Sequence, residues 1–349
     1  MSPPNLAVTE AIDLVASGND LSGDRAAAVL AEIMAGAVEE AQTAAFLIAL
    51  RTKGETVEEL AGLARTMRAL ALPVPVDGDD LLDTAGTGGG TSTFNVSTTA
   101  AFVAAGAGCR VAKHGNRSAT SLCGSADVLE ALGARIDLGP DAVAGCIEEV
   151  GFGFMFAPNH HAATKHVVPV RKALAVRTVF NFLGPLTNPA GATRQVIGVP
   201  HADVLELIAG ALVELGCVHA LVVSGEDGMD EISVAGPTTI VEVTPAGTSK
   251  RTVTPEEVGI ARASHTALAG GTPDENAEAM IAVLEGEAGA RRGVVVMNAG
   301  AALLAADRAQ TLEEGVRLAE EAIDSGAALD TMRRFVATTV NLGASQIPA

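Results

Sequence analysis

The residues best suited to bind an anion form one glycine-rich stretch between Asp83 and Thr98. It runs through Gly86-Thr87-Gly88-Gly89-Gly90 and continues with hydroxyl and amide side chains. Glycine has no Cβ, so consecutive backbone N–H groups can turn toward one anion and approach it closely. Ser97 and Thr98 open an alanine-rich helical run, which places the loop at the positive end of a helix. The pattern predicts a phosphate cradle.

This stretch differs from the common nucleotide-binding loops. No Gly-Lys-Ser/Thr follows the glycines, as a Walker loop requires. Nor does the stretch fit G-x-G-x-x-G before a helix with a later acidic residue. A kinase or a dehydrogenase is therefore disfavoured.

A second anion-binding loop is predicted between Lys113 and Ser125, after a short apolar strand. Lys113 and Arg117 supply positive charge, while Asn116 and several hydroxyls supply hydrogen bonds. Such a set suits phosphate or pyrophosphate oxygens. Because loops are generally polar, a surface loop that binds nothing is the alternative.

Two adjacent acids, Asp230 and Glu231, follow another apolar strand. Carboxylates at a strand end suit Mg²⁺, which needs few protein oxygens when substrate phosphates and water complete its shell. A solvated acidic turn is the alternative for an isolated pair. Next to two phosphate loops, the pattern favours a magnesium site.

His160, His161 and Arg171 lie between these clusters. The histidines are candidates for a base, a ligand or plain surface groups, and without an acidic partner at ligand spacing zinc is disfavoured. Arg171 is the stronger candidate for substrate binding, since a guanidinium can hold a carboxylate with two hydrogen bonds.

The overall charge restricts the class of partner. The 349 residues carry 23 basic and 42 acidic side chains, a net charge of −19, which opposes nucleic-acid binding. Any anionic ligand must meet a local basic island, and one is predicted from four histidines with nearby lysines and arginines: His114, His160, His161, His166, Lys113, Arg117, Lys165, Arg171, Lys172 and Arg177.

The cysteines and the apolar runs indicate a cytoplasmic protein. The four cysteines form no C-x-x-C pair, so reduced thiols are expected rather than disulfides or zinc ligands. No uninterrupted apolar run reaches the length of a membrane span, and the N-terminus does not resemble a signal peptide. We expect no membrane association.

The elements that must position these residues fall into two regions. Up to Leu72 the apolar spacing predicts four short helices, the last with a capping box at Thr56 and Glu59, and 73–80 is a plausible linker. Short apolar runs then alternate with helical ones, which predicts a mainly parallel sheet flanked by helices. The predicted strands are 81–84, 110–112, 152–156, 195–199, 220–224, 239–243 and 294–297; the predicted helices are 125–132, 202–215, 273–284, 312–325 and 328–342.

Taken together, these segments resemble the anthranilate phosphoribosyltransferase family over essentially the whole chain. The most specific are Gly86-Thr87-Gly88-Gly89, Asn95-Val96-Ser97-Thr98, Lys113-His114-Gly115-Asn116-Arg117-Ser118, the segments 124–133 and 177–189, and Asp230-Glu231. The resemblance implies a small all-helical N-terminal domain, 1–75, to which part of 166–190 returns. It also implies a larger α/β domain, 76–349, with a mainly parallel sheet of the nucleoside-phosphorylase, or class III phosphoribosyltransferase, type.

The family's activity is transfer of the phosphoribosyl group from phosphoribosyl pyrophosphate to the amine of anthranilate, in tryptophan biosynthesis. The resemblance implies a homodimer, two Mg²⁺ ions per subunit held by Ser97, Asp230 and Glu231, and an anthranilate site at Gly86, His114, Asn116 and Arg171. Lys113 and Arg171 act by position and charge, and no catalytic acid or base is assigned. The phosphoribosyl pyrophosphate contacts are predicted at Gly86, Gly89, Gly90, Thr93, Asn95, Val96, Ser97, Thr98, Lys113, His114, Gly115, Asn116, Arg117, Ser118, Ala119, Thr120, Ser121 and Ser125.

The chain departs from the family pattern at three places. Gly90 stands where an acid usually follows Gly-Thr-Gly-Gly, and the segment to Asn95 is one residue shorter, which bears on the second metal. Leu122-Cys123 replace a common Lys-Ser pair, and 162–164 also differ, which bears on acceptor preference. Two alternatives stay open: a related phosphoribosyltransferase or nucleoside phosphorylase with another acceptor, and a non-catalytic relative that binds nucleic acid.

Overall fold

The computed structural model describes residues 3–118 and 121–344. The strands are β1 Leu81–Gly86, β2 Arg110–Gly115, β3 Phe152–Phe156, β4 Arg194–Gly198, β5 His219–Gly225, β6 Thr238–Thr244 and β7 Gly247–Val253. The α-helices are α1 Leu6–Ala16, α2 Gly23–Met34, α3 Glu40–Lys53, α4 Val57–Leu70, α5 Val96–Gly106, α6 Ser125–Ala131, α7 Pro140–Val150, α8 Ala157–His160, α9 Val168–Leu174, α10 Phe180–Leu183, α11 Leu205–Glu214, α12 Pro273–Leu284, α13 Ala290–Ala305, α14 Leu312–Asp324 and α15 Ala327–Ala344. Short 3₁₀ helices lie at Ala162–His166, Gly184–Leu186, Ala202–Val204, Pro255–Val258 and His265–Leu268.

The N-terminal region contains the four predicted helices, α1 to α4. The predicted capping box is present: the Thr56 hydroxyl accepts the Glu59 N–H at 3.2 Å, and the Glu59 carboxylate accepts the Thr56 N–H at 2.8 Å. Apolar side chains of these helices share one core with residues of α9 and α10, among them Val170 and Phe180. Part of 166–190 therefore contacts this core, which also contains residues of β4, β5, β6 and α11. The domain division, with 1–75 and part of 166–190 as one unit, stays a prediction.

The Glu59 carboxylate also holds the helical region together from inside. Its side chain is fully buried and accepts hydrogen bonds from the Leu21 N–H at 2.8 Å and the Lys53 ammonium at 3.0 Å. The Lys53 side chain is itself only 7% exposed. Removing the acid would leave the Leu21 and Thr56 N–H groups without their acceptor, while Lys53 would keep Asp20 and the Gly54 carbonyl. Unsatisfied backbone donors cost more than an exposed ion pair contributes.

Glu59→Ala is therefore expected to lower the free energy of unfolding by about 3 kcal/mol. The chain has no Trp or Tyr, so the measurement is urea unfolding followed by far-ultraviolet circular dichroism. The matched control is Glu10→Ala, whose exposed pair with Arg25 should be worth less than about 1 kcal/mol. A loss no larger than that of the control would contradict a structural role for Glu59.

The sheet has the order β3-β2-β1-β4-β5-β6-β7. The pairs from β3 to β5 are parallel, and the pairs β5–β6 and β6–β7 are antiparallel, so the predicted mainly parallel sheet is confirmed. Strand β1 lies between β2 and β4, where the chain order reverses. In such sheets ligands bind at the carboxyl ends of the strands beside the reversal. The glycine-rich stretch follows β1 there, and the second loop follows β2.

One predicted strand is wrong. Residues 294–297 lie inside helix α13, whose side chains from Gly293 to Ala305 are all buried. A short run of β-branched residues cannot be told from a buried helix by periodicity, and a helix buried on every side has no polar face to reveal it. Strand β7 and helix α7 were not among the predicted elements. In the described ranges, no helix has both the length and the apolarity needed to cross a membrane.

Candidate active site

A cavity of about 660 Å³ opens at the carboxyl ends of β1 and β2. Of the predicted site residues, those lining it are Gly86, Gly89, Gly90, Thr93, Asn95, Val96, Ser97, Thr98, Lys113, His114, Gly115, Asn116, Arg117, Ser118, Ser121, Ser125, Asp230 and Glu231. Ala119 and Thr120 lie outside the described residues. Arg171 is not among the lining residues. The fold thus brings both predicted loops and the acid pair to one place.

The glycine-rich stretch after β1, residues 86–90, is called the glycine loop below. Its backbone already binds the carboxylate of Asp230. The Gly88 N–H donates to Asp230 Oδ2 at 3.1 Å. A Cβ at Gly86 would come within 2.5 Å of that oxygen, and a Cβ at Gly90 within 2.7 Å of Asp230 Oδ1. Gly88 and Gly89 have φ of +68° and +82°, in the left-handed region that favours glycine. The loop therefore needs its glycines, and its backbone can approach an anionic oxygen.

The start of helix α5 supplies further donors to the same cavity. The helix begins at Val96, before the predicted run 99–107 and before Ser97 and Thr98, which were expected to open it, and Asn95 is at the N-cap. The Asn95 side chain accepts hydrogen bonds from Asn276 at 2.8 Å and from the Cys123 thiol at 3.3 Å, which joins the glycine loop to the second loop. Within the described part of the chain, the buried Thr98 hydroxyl has no partner. A ligand in the cavity could satisfy it.

Lys113 is a cation buried in the wall of the cavity. Its side chain is on β2, and its ammonium donates to the Thr84 carbonyl at 2.5 Å and to the Thr84 hydroxyl at 3.2 Å. Burial lowers the pKa of Lys113 to about 8, against the opposing pull of the Asp83 and Glu231 carboxylates. The ammonium is therefore charged at neutral pH and poorly solvated, which strengthens its attraction for a ligand anion.

Asp83 supports this wall from β1 and was not predicted as a site residue. It accepts hydrogen bonds from the His114 N–H at 3.2 Å and from Asn188 Nδ2 at 2.8 Å. Asn188 Nδ2 also donates to the Ala112 carbonyl at 2.8 Å. Burial raises the pKa of Asp83 to about 6. The acid ties β1, β2 and the chain before β4 together, and an acidic residue in an otherwise apolar strand is the signal that could have revealed it.

The acid pair fits a divalent cation. Burial raises the pKa of Asp230, and burial together with the Asp230 charge raises that of Glu231 well above its usual value. Glu231 Oε2 is buried and has no hydrogen-bond partner within residues 3–118 and 121–344. The same residues contain no group of three or more His, Cys, Asp or Glu side chains able to hold a metal. A Mg²⁺ ion here would take its other ligands from substrate and water, as Mg²⁺ usually does.

The predicted basic island is only partly charged. His114 and His161 are buried with ring centroids 5.1 Å apart, and burial lowers their pKa values to about 3 and about 4. Burial lowers the pKa of His160 as well. These rings are neutral at pH 7, so the predicted positive charge comes from lysine and arginine side chains. His114 Nδ1 donates to the Gly184 carbonyl at 3.2 Å, which leaves Nε2 as an acceptor.

The three arginines near the site differ in their contacts. Arg171 lies over the Phe180 ring, 5.5 Å from its centroid, on the side of the helical region. Arg117 lines the cavity but pairs with Asp127 at 2.8 Å and with Glu130. Arg177, which was placed in the basic island without a site role, also lines the cavity.

Family models match both regions of the chain. The glycosyl transferase family α/β domain matches residues 78–329, and the glycosyl transferase family helical bundle domain matches residues 9–71. The chain is 54% identical to the anthranilate phosphoribosyltransferase of Symbiobacterium thermophilum, over 92% of this chain and 95% of that protein.

Two solved structures are also similar. The crystal structure of anthranilate phosphoribosyltransferase from Thermus thermophilus has a TM-score of 0.89 and 46% identity, covering 95% of this chain and 99% of its own. The Saccharomyces cerevisiae enzyme in complex with PRPP and Mg has a TM-score of 0.89 and 28% identity, covering 97% and 99%. With the two-loop cavity and the acid pair, these matches show that the chain belongs to the anthranilate phosphoribosyltransferase family.

Proposed function

We propose that the cavity at the ends of β1 and β2 is where this chain transfers the phosphoribosyl group from phosphoribosyl pyrophosphate to the amine of anthranilate. The proposal rests on the contact between the glycine loop and the acid pair, in which the Gly88 N–H donates a hydrogen bond to Asp230. A phosphate cradle, a magnesium-binding acid pair and a buried lysine then share one space. Neither alternative raised by the sequence is favoured by the relatives described above.

The donor's phosphates belong between the two loops in this proposal. The backbone N–H groups of the glycine loop and the start of α5 bind phosphate oxygens, as helix N-termini do. Asp230 and Glu231, with Ser97, hold Mg²⁺, which neutralises the departing pyrophosphate when bound. Lys113 adds a cation whose attraction for that anion is strengthened by burial. A second Mg²⁺ ion per subunit is part of the proposal.

The transfer does not need a strong general base from the protein. The bond from the anomeric carbon to the pyrophosphate oxygen breaks, a bond to the anthranilate nitrogen forms, and the nitrogen then loses a proton. An aromatic amine is neutral at pH 7, so alignment of the two substrates is the main requirement. Gly86, Asn116 and the neutral His114 would line the anthranilate path, and Arg171 would bind its carboxylate.

The direct test follows the loss of anthranilate fluorescence in the presence of phosphoribosyl pyrophosphate and Mg²⁺. A panel of other aromatic amines and nucleobases serves as the comparison, because Leu122, Cys123 and 162–164 depart from the family pattern. We expect turnover of anthranilate and its loss when Mg²⁺ is chelated. No turnover at any Mg²⁺ concentration would refute the proposal.

Arg171→Ala is expected to raise the KM for anthranilate roughly 10- to 100-fold, because a charge-assisted hydrogen bond to a carboxylate contributes about 1.5–3 kcal/mol. The KM for phosphoribosyl pyrophosphate should change little. Steady-state kinetics with each substrate varied in turn measures the two values. Lys172→Ala, at the exposed neighbouring residue, is the control. Since Arg171 does not line the cavity in this structure, equal changes in both KM values would assign it a packing role on Phe180 instead.

The assembly and location of the chain are proposed on the family resemblance. We expect a homodimer that pairs through the helical regions, in the cytoplasm. Light scattering on the intact chain tests the dimer.

A further inference from the structure

Arg177 contacts the glycine loop at Gly88, the same residue whose N–H donates to Asp230. Its Nη1 donates to the Gly88 carbonyl at 2.6 Å. A Cβ at Gly89 would come within 2.0 Å of Nη1 and 3.3 Å of Cζ, so the guanidinium lies directly against the Gly89 backbone. The loop backbone thus binds both an arginine and a carboxylate.

The backbone that follows Arg177 is anchored in a core. The preceding Ala175 ends α9 in the left-handed conformation, with φ of +52°. The following Val179 and Phe180 are buried, at 1% and 7% exposure, in the core shared with the helical region. A side chain projecting from such an anchored segment loses less conformational freedom on binding a ligand, which favours affinity.

The guanidinium retains most of its hydrogen-bonding capacity. Arginine has five N–H donors, and in the described part of the chain only the bond to the Gly88 carbonyl uses one. The other cations of the cavity already interact more extensively with protein groups. Arg117 is paired with Asp127 and Glu130, and Lys113 is buried against Thr84. Arg177 has no ion pair among the described residues, although it faces a cavity that also contains two acids.

We propose that Arg177 is a binding residue for the pyrophosphate group of the donor substrate, at the glycine-loop side of the cavity. This inference rests on the proposed function. A guanidinium with unused donors beside a phosphate cradle matches the geometry of phosphate oxygens better than an ammonium does. Arg177 donates to Gly88, which adjoins Gly89 and Gly90, two residues assigned to phosphoribosyl pyrophosphate and not to anthranilate. This placement favours the pyrophosphate over the acceptor carboxylate.

The test measures binding of inorganic pyrophosphate with Mg²⁺ by isothermal titration calorimetry, so it does not depend on anthranilate turnover. Arg177→Gln should weaken pyrophosphate binding roughly 10- to 100-fold, as expected for loss of a charge-assisted hydrogen bond. It should raise the KM for phosphoribosyl pyrophosphate by a similar factor and leave the KM for anthranilate within about twofold. Arg177→Lys should retain part of the affinity, because the charge remains while the planar donor set is lost.

The matched control is Arg308→Gln, because Arg308 also donates to a glycine carbonyl, that of Gly108 at 3.0 Å, but at a site outside the residues that line the cavity. Loss of a ligand-binding cation should make pyrophosphate affinity less dependent on ionic strength, whereas a merely loosened loop would leave that dependence unchanged. Weaker binding with an unchanged salt dependence, an effect on the anthranilate KM alone, or no effect would each overturn the proposal. Failure of anthranilate turnover in the unaltered chain, with pyrophosphate binding intact, would instead count against the proposed function.

Discussion

Glu231→Gln is expected to lower kcat/KM by at least about 100-fold, which corresponds to roughly 2.7 kcal/mol of lost transition-state stabilisation. The substitution keeps the size of the side chain and removes one of the two charges that would hold Mg²⁺ against the departing pyrophosphate. The Mg²⁺ concentration needed for half-maximal activity should rise. Initial rates across a Mg²⁺ titration measure both quantities.

The same substitution should stabilise the protein in the absence of Mg²⁺. Burial raises the pKa of Glu231, so the folded state disfavours its charged form. The raised pKa does not lower the free energy of unfolding at a pH where Glu231 is protonated in both the folded and the unfolded state. It lowers that free energy increasingly as the pH rises above the pKa that the carboxyl has in the unfolded chain. The increase in Tm of the glutamine variant in chelator should therefore be larger at about pH 8 than at about pH 5.

Glu226→Gln is the control for both effects, because Glu226 is exposed in the same connection between β5 and β6. It should leave activity, Mg²⁺ dependence and Tm nearly unchanged. A Glu231→Gln variant with normal Mg²⁺ dependence would remove Glu231 from the metal site. A variant with reduced activity and reduced Tm in chelator would show that the charged acid supports the fold.

The second large effect is a loss of kcat/KM for phosphoribosyl pyrophosphate as pH rises through about 8, the pKa to which burial lowers Lys113. Above that pH the ammonium loses its proton and the cavity loses a cation. The expected slope approaches tenfold per pH unit, and it belongs to kcat/KM because that parameter reports the free enzyme. The corresponding fall in kcat should lie at higher pH, since bound pyrophosphate favours the protonated lysine.

Lys113→Arg tests the assignment, because arginine stays charged throughout this range. Its kcat/KM should be lower than that of the unaltered chain at pH 7 and should lack the fall near pH 8. The exposed Lys172→Met is the control and should keep the fall. Tm is measured at each pH for all variants, so that unfolding is not mistaken for titration. A fall that persists in Lys113→Arg would assign the pH dependence to another group.

The two loops that line the cavity were predictable because their signal is local. The left-handed backbone at Gly88 and Gly89 and the start of α5 follow from residues that are adjacent in the chain. The parallel sheet was also predictable from the alternation of apolar and helical runs, and it explains why two loops far apart in sequence meet at one edge. Helix α13 was missed because total burial removes the periodic pattern that marks a helix.

The charge state of the site could not be predicted from residue types. His114 and His161 count as basic residues in the sequence, yet their rings are buried and neutral. Arg117 stands within the second loop motif, yet two acids already pair with it. Arg177 is 60 positions further along, and among the described residues it uses a donor only on the Gly88 carbonyl. Burial and pairing depend on which surfaces pack together, and no local pattern encodes them.

The close contact between Gly90 and Asp230 makes these two positions evolutionarily interdependent. A Cβ at residue 90 would lie 2.7 Å from Asp230 Oδ1, and 3.0 Å from both the Asp230 backbone nitrogen and the Gly228 carbonyl oxygen. An acid at residue 90 would therefore need the Asp230 carboxylate to turn aside and the backbone at Gly228 and Asp230 to shift by a few tenths of an ångström. A lineage descended from this chain would therefore regain the family's usual acid more readily after a change that loosens this contact, and the order of the two mutations would affect which variants remain functional along the way.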